Sequence, residues 1–319
     1  MKAAVRISFL NESIKERLKK TADEIGCQMV FLGDEEPDVK DIEDCDILFG
    51  KFKASMLKNV KNLKWYQLPS AGVDGFTDDS IYPNPDVVLT NGSGAYGVTI
   101  AEHQILNLLM LMRKAPQYIE GQKNKAWKNL GDVRSIFGST IAVVGTGNLG
   151  SEFAKRVQAM GAKVIGVRRT GNALENGFDE MYNVAEIDEV LPKADVIALN
   201  LPGTAETKNI LTRERIASLK SNAIVMNVGR GSAIDQEALN EALREGKIAG
   251  AALDVTSPEP LPEDHPLWTA PNTIITPHVS GNYSLEYTCQ VLIDIFEGNL
   301  IKFAKGEKLD NIVDRKAGY

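Results

Sequence analysis

Residues 140–150 read TIAVVGTGNLG. Five residues of strand-like character run directly into glycines at 145, 147 and 150, and the following stretch sets Phe153, Val157 and Met160 on one face of a helix. Strand, glycine turn and helix in that order form the context in which a G-x-G-x-x-G pattern reads as a dinucleotide fingerprint. Gly145 permits the tight turn, Gly147 lets backbone approach a pyrophosphate, and Gly150 lets helix and strand pack closely. The amides that open the helix, at Asn148 and Leu149, face the anion together with the helix dipole.

Outward from this stretch the same rhythm continues. KVIGV (163–167), DVIALNLP (195–202), NAIVMNVG (222–229), IAGAALDV (248–255) and TIITP (273–277) read as buried strands separated by helical segments. Upstream, AVRISFL (4–10), QMVFL (28–32), DILFG (46–50) and LKWYQL (63–68) read as strands of a smaller lobe, with a charged helix ending near Gly26. The fold class is therefore α/β, with two doubly wound parallel sheets. A helix from Thr99 to Met112 is apolar on every side in its second half, which predicts burial inside the protein or between subunits. After HVSGNYS (278–284), the apolar spacing from Tyr287 to Leu300 predicts a long terminal helix.

Length agrees with two lobes, because single cores stop growing at roughly 250 to 300 residues and the chain has 319. With 43% hydrophobic and 25% charged residues, disorder and fibrous classes are excluded. Thirty-six Lys and Arg against 43 Asp and Glu give a net charge of −7, so no general basic field invites nucleic acid or anionic lipid. The most apolar stretch, ILNLLMLM at 105–112, is too short to span a bilayer, and the N-terminal run, broken by Arg6, resembles a strand more than a signal peptide. Cys27, Cys45 and Cys289 fit neither a metal motif nor a disulfide framework, which points to reduced cysteines and a cytoplasmic protein.

Three segments that follow strands of the larger domain carry chemistry. NVGRGSAID holds Arg230 between Gly229 and Gly231, LDVTSPEP holds Asp254 and Glu259, and TPHVSG holds His278. All can converge at the carboxyl edge of the sheet, where ligands of open α/β sheets bind. An arginine can grip a carboxylate or polarise a carbonyl, a histidine can protonate a developing alkoxide, and a glutamate can orient that histidine. His103 and His265, without such partners, read as structural residues.

At the end of the second strand after the glycine loop, where NAD-binding sequences carry an acid about 20 positions on, this chain has Arg168, Arg169 and Thr170. Two guanidinium groups there favour a 2′-phosphate, hence NADP over NAD, although NAD is possible and solvated surface arginines are the plainer reading.

These residues together resemble the D-isomer-specific 2-hydroxyacid dehydrogenase family, which includes glyoxylate/hydroxypyruvate reductases, D-lactate dehydrogenases and phosphoglycerate dehydrogenase, and the resemblance runs through most of the chain. It implies that LPSAGVDG (68–75) binds the substrate carboxylate through amides at Ala71, Gly72 and Val73. TIAEH (99–103) resembles the start of the family's first cofactor-domain helix. The resemblance further implies that NLPGTAETKN (200–209) lies near the cofactor through Leu201, Pro202 and Thr207, that Asp254 sits by the nicotinamide carboxamide, that Arg230 binds substrate, and that Glu259 supports His278 as acid/base. Arg168 departs from the usual acid, and Thr256 and Ser257 stand where a bulkier residue and an acid or alanine are common.

The family order implies a substrate-binding lobe of 1–98 and 285–319 and a dinucleotide-binding domain of 99–284, with glycines at 92, 94, 97 and 281 near the two crossings. The expected protein is a homodimeric 2-oxo acid reductase, binding no nucleic acid, membrane or metal, with glyoxylate or hydroxypyruvate as substrate. A dinucleotide-sensing, corepressor-like protein without significant turnover is the alternative, separable by a turnover assay.

Overall fold

A computed structural model describes residues 1–171 and 173–319. Among them the chain forms two compact units, one of Met1–Tyr96 with Tyr283–Tyr319, the other of Gly97–Asn282.

In the first unit, strands β1 (Lys2–Arg6), β2 (Gln28–Phe31), β3 (Ile47–Gly50), β4 (Trp65–Gln67) and β5 (Val88–Thr90) form a parallel sheet in the order β2-β1-β3-β4-β5. Successive side chains point to opposite faces, so Ile47 and Phe49 enter one core layer and Leu48 the other. Helices Glu12–Glu24 and Glu286–Lys305 cover the first of these layers: Leu18 and Ala22 come from one, Ile293, Phe296 and Leu300 from the other. Trp65 is fully buried there and stacks on Phe296 and Phe303 at centroid distances of 5.4 and 5.6 Å.

In the second unit, β6 (Thr140–Val144), β7 (Lys163–Arg168), β8 (Glu180–Asn183), β9 (Val196–Leu199), β10 (Ile224–Asn227), β11 (Gly250–Leu253) and β12 (Thr273–Ile275) form a parallel sheet in the order β12-β11-β10-β9-β6-β7-β8. Omitting the edge strand β12, this is the dinucleotide-binding order in which the sheet reverses direction between its first and fourth strands, here β6 and β9. The α/β architecture read from the sequence is the one that forms. Its central strands are near-continuous runs of Val, Ile, Leu and Ala because helices cover both faces.

One detail differs from the sequence reading. The helix expected from Thr99 begins at Gly97 and is not buried all round within this chain: Ala101, Leu108 and Met112 are buried, whereas Leu106 is 57% exposed. Of the three tryptophans, Trp65 lies in the core of the chain, Trp268 is half exposed and Trp127 fully exposed. All three cysteines are buried and unpaired. Among the described residues no helix is long and apolar enough to cross a membrane.

Candidate active site

The site of the second unit is built on the carboxyl ends of its parallel strands. Val144 leads into Gly145, whose φ of +94° is one that L side chains rarely adopt. A Cβ there would lie 2.6 Å from the Asn200 carbonyl oxygen, so the turn after β6 abuts the loop after β9 at the point where strand order reverses. A Cβ on Gly150 would come within 2.0 Å of the Gly145 carbonyl oxygen, which makes glycine a condition for the helix Asn148–Ala159 to start so close to its strand.

Gly147 is different. Beyond its two chain neighbours nothing lies within 4 Å of where its Cβ would be, and it caps the helix without a side-chain hydrogen bond, so the first-turn amides are presented on open space. A backbone cradle open on one side, at the positive end of a helix and backed by a crowded turn, fits the pyrophosphate of a dinucleotide. Asn200 adds a buried Oδ1 with no hydrogen-bond partner among the described residues.

The neighbouring loops are braced internally. Leu201 lies against Gly145, and its carbonyl oxygen would be 2.4 Å from a Cβ on Gly229, linking the loops after β9 and β10. The Thr207 hydroxyl donates to the Pro202 carbonyl at 2.6 Å and accepts from the Thr204 amide at 2.9 Å, stapling the loop that holds Leu201 and Pro202. Arg168 ends β7, with Arg169 and Thr170 exposed beyond it. The Arg168 guanidinium is paired with the Glu175 carboxylate and also donates to the carbonyls of Gly171 and Ala173 at 3.1 and 3.3 Å.

Arg230, Glu259 and His278 follow three adjacent strands, since Asn227 of β10 pairs with Leu253 of β11 and Leu253 with Ile275 of β12. Arg230 stands three residues beyond Asn227, whose side-chain amide donates to the Arg230 carbonyl at 2.9 Å and whose Oδ1 accepts from the Gly229 amide at 3.0 Å. A Cβ on Gly231 would lie 2.0 Å from the Thr256 carbonyl, so the Arg230 turn is pressed against the loop that carries Glu259. That loop is fixed by Glu259 Oε1, which accepts from the Thr256 amide at 2.9 Å, and by Gln236, whose Oε1 accepts from the Ser257 amide at 3.0 Å. The other oxygen of Glu259 meets His278 Nδ1 at 2.9 Å. Both side chains are partly open to solvent, 50% for His278 and 38% for Glu259.

His278 sits at φ +51°, and Asp254 sets that bend. The Asp254 carbonyl accepts from the His278 amide at 2.8 Å. Its buried carboxylate accepts from the Thr276 and Ser280 hydroxyls, both at 2.5 Å, and from the Val279 and Ser280 amides, both at 3.0 Å. Burial opposes the charge, yet these hydrogen bonds outweigh it and hold the Asp254 carboxyl below the usual carboxylate range. Behind it, His103 Nε2 lies 3.1 Å from the Thr276 hydroxyl and 2.8 Å from Asn107 Nδ2; burial pushes its imidazole down, partly offset by Asp254. Asp254, Glu259 and His278 border a cavity of about 380 Å³ that is also lined by Leu261, Trp268 and Ile275. The supporting residues Asn227, Gln236, Thr276 and Ser280 were not singled out from the sequence; only Asn227, an Asn two residues before a glycine, carries a turn signal that sequence reading could have used.

In the first unit the loop 70–73 follows β4. Its carbonyls are held by the protein: Ser70 O by the Gly92 amide at 2.8 Å, Ala71 O by Asn91 Nδ2 at 2.9 Å, and Gly72 O by the Ser70 hydroxyl at 2.7 Å. Ala71 and Gly72 are half-buried and Val73 is buried. At the same sheet edge, Arg6 donates to the carbonyls of Lys51 and Asp34 and pairs with Glu36 at 3.4 Å. Among the described residues no cluster of three or more His, Cys, Asp or Glu is placed to hold a metal.

Residues 105–280 match the family model described as D-isomer specific 2-hydroxyacid dehydrogenase, NAD binding domain. Among solved structures, a D-isomer specific 2-hydroxyacid dehydrogenase family protein from Aeromonas salmonicida is 36% identical, with a TM-score of 0.86 over 98% of this chain and 99% of that one. An NADPH-dependent glyoxylate/hydroxypyruvate reductase from Sinorhizobium meliloti, in complex with NADP and sulfate, is 26% identical, with a TM-score of 0.81 over 100% and 99%. The D-3-phosphoglycerate dehydrogenase of Methanocaldococcus jannaschii is 32% identical over 96% of this chain, which spans 59% of that longer protein.

Proposed function

The chain belongs to the D-isomer specific 2-hydroxyacid dehydrogenase family of NAD(P)-dependent oxidoreductases, and from that membership we propose that it reduces a small 2-oxo acid, glyoxylate or hydroxypyruvate, to the hydroxy acid, preferring NADPH to NADH. The observation that carries the reading is the 2.9 Å pair between His278 Nδ1 and Glu259 beside the Arg230 turn. Glu259 holds the Nδ1 proton and fixes the ring, which leaves Nε2 as the atom that gives a proton to the substrate oxygen. Arg230 grips the substrate carboxylate with a planar fork, so that a carbonyl alpha to it is the one presented for reduction. The first unit is assigned its own part in substrate binding, through the amides of Ala71, Gly72 and Val73, in a loop whose carbonyls are already tied down. The dinucleotide, when bound, supplies the hydride, and Gly145, Gly147, Asn148 and Leu149 hold its pyrophosphate. Leu201, Pro202, Thr207 and Asp254 shape its nicotinamide side, and Arg168, Arg169 and Thr170 its adenosine ribose.

A small, uncharged substrate tail is favoured because the Arg6 guanidinium is already committed to Lys51, Asp34 and Glu36, and the loop 68–75 brings no cation of its own. On this reading Met1–Tyr96 with Tyr283–Tyr319 serves the substrate and Gly97–Asn282 the dinucleotide. Unpaired buried cysteines fit a reducing, cytoplasmic compartment. Apolar exposure at Leu106, Trp127 and Phe137 favours a homodimer, and a monomer mass by light scattering at micromolar concentration would remove it.

Oxidation of NADPH and NADH should be followed over glyoxylate, hydroxypyruvate, pyruvate and 3-phosphohydroxypyruvate, with kcat/KM compared at limiting concentration. The highest value is expected for NADPH with one of the first two. Highest activity with the phosphorylated acid would reassign the substrate, and tight dinucleotide binding without turnover would favour a sensor.

A further inference from the structure

Arg168 is the residue proposed to recognise a 2′-phosphate, yet its guanidinium is already engaged. Strand β7 ends at Arg168, and the chain turns back so that the Glu175 carboxylate pairs with one terminal nitrogen, while Nε and the other terminal nitrogen donate to the Gly171 and Ala173 carbonyls. Gly171 has φ +73°, a conformation that L side chains rarely adopt. The guanidinium side chain is 23% exposed and the carboxylate 39%, so the pair lies at the surface where a ligand can reach it and the carboxylate can swing into water. The neighbouring arginine also faces an acid. The Glu206 carboxyl is held below its usual range first by its own backbone amide, then by Thr204, and also by the charge of Arg169.

We infer that Glu175 is a cofactor-specificity residue: its carboxylate occupies Arg168 in place of the 2′-phosphate, so a 2′-phosphorylated dinucleotide must displace it, whereas one with a free 2′-hydroxyl need not. The inference rests on the assignment of Arg168 to the adenosine ribose. A phosphate monoester carries about −1.5 to −2 charges against the single charge of a carboxylate and offers more acceptor oxygens, so it wins the exchange. The exchange still loses the pair already made, and that loss falls on NADPH alone. Glu175 therefore acts through Arg168 as a positioning residue, and it narrows the discrimination that two arginines would otherwise give.

Two fragments isolate the phosphate: 2′,5′-ADP and 5′-AMP differ by that group only. Their affinities would be measured by calorimetry on the full-length protein, for wild type, Glu175→Gln, Arg168→Ala and the double variant, with Glu175→Asp as the conservative replacement. Exposed ion pairs are worth little, so Glu175→Gln should tighten 2′,5′-ADP by roughly three- to fivefold and leave 5′-AMP unchanged, with Glu175→Asp closer to wild type. In the Arg168→Ala background the gain should vanish. If Glu175→Gln changes nothing while Arg168→Ala weakens 2′,5′-ADP, the inference fails and the assignment of Arg168 stands. A gain that persists without Arg168 would also overturn it, because plain repulsion between Glu175 and the phosphate would then suffice. If Arg168→Ala leaves 2′,5′-ADP unaffected, the assignment itself falls, and the inference with it.

Discussion

His278 is held through one ring nitrogen, so on the proposed reading replacing it removes the proton donor without touching the glycine loop. His278→Ala should lower kcat by about a hundred- to ten-thousandfold, the usual worth of a positioned acid, while dinucleotide affinity by fluorescence titration stays within a factor of two or so. A loss below about tenfold would assign the proton to another donor. Asp254 has a different part: its carboxylate shapes the bend on which His278 sits. A carboxyl held below its usual range stabilises the fold fully at pH values above that range, and the contribution drains away as pH falls through the depressed value. Asp254→Asn should therefore cost about 1 to 3 kcal/mol at neutral pH, with the gap from wild type narrowing below about pH 4 in thermal melts. A gap constant from pH 7 to pH 3 would mean the charge contributes nothing. Arg230, Glu259 and His278 could be singled out in the sequence because each lies in a segment that follows an apolar strand, and histidine is scarce, with 3 in the chain. Thr276 and Ser280 were not, since which hydroxyl meets Asp254 depends on the pairing of β11 with β12, and nothing local announces that register.

At the scale of elements, the glycine turn separates two requirements that a motif merges. Gly150→Ala drives a methyl group to within 2.0 Å of backbone, whereas Gly147→Ala meets only open space. Overpacking of this kind costs typically about 1 to 3 kcal/mol, so Gly150→Ala should lower both Tm and dinucleotide affinity. Gly147→Ala should lower affinity alone, since its methyl occupies the space proposed for the pyrophosphate. Equal Tm losses in the two variants would show that the open face of the turn is unimportant. The sequence disclosed the central strands plainly, because burial on both faces leaves continuous apolar runs. It concealed Val88–Thr90 and Glu180–Asn183, each short and at the edge of its sheet. The second is EMYN, half-buried throughout, and without an apolar run it has no signature apart from its partner β7.

For the whole molecule, the first unit is made from both ends of the chain. The terminal helix supplies Phe296 and Phe303 against Trp65, and Asn299 joins the Asp310 carbonyl, at 3.1 Å, to the buried Gln67. Phe296→Ala should cost about 3 to 5 kcal/mol and shift Trp65 emission to the red at lower urea than in wild type, while a fragment of residues 97–282 should keep a cooperative transition of its own. A noncooperative melt of that fragment would show that the second unit depends on the first.

The terminal helix, which closes one face of the five-stranded sheet, also imposes an order on synthesis. The ribosome delivers β1 to β5 before the inserted unit, but Phe296, whose ring stacks on Phe49 and Trp65, emerges only with the terminal helix, about 230 positions after Trp65. At about 5 to 20 residues per second the nascent lobe waits roughly 12 to 46 seconds with that apolar sheet face covered only by the helix Glu12–Glu24. The inserted unit can meanwhile complete its own sheet. The sheet made before the inserted unit thus finishes folding after it, and the interval is when a chaperone that holds exposed strands has the most to protect.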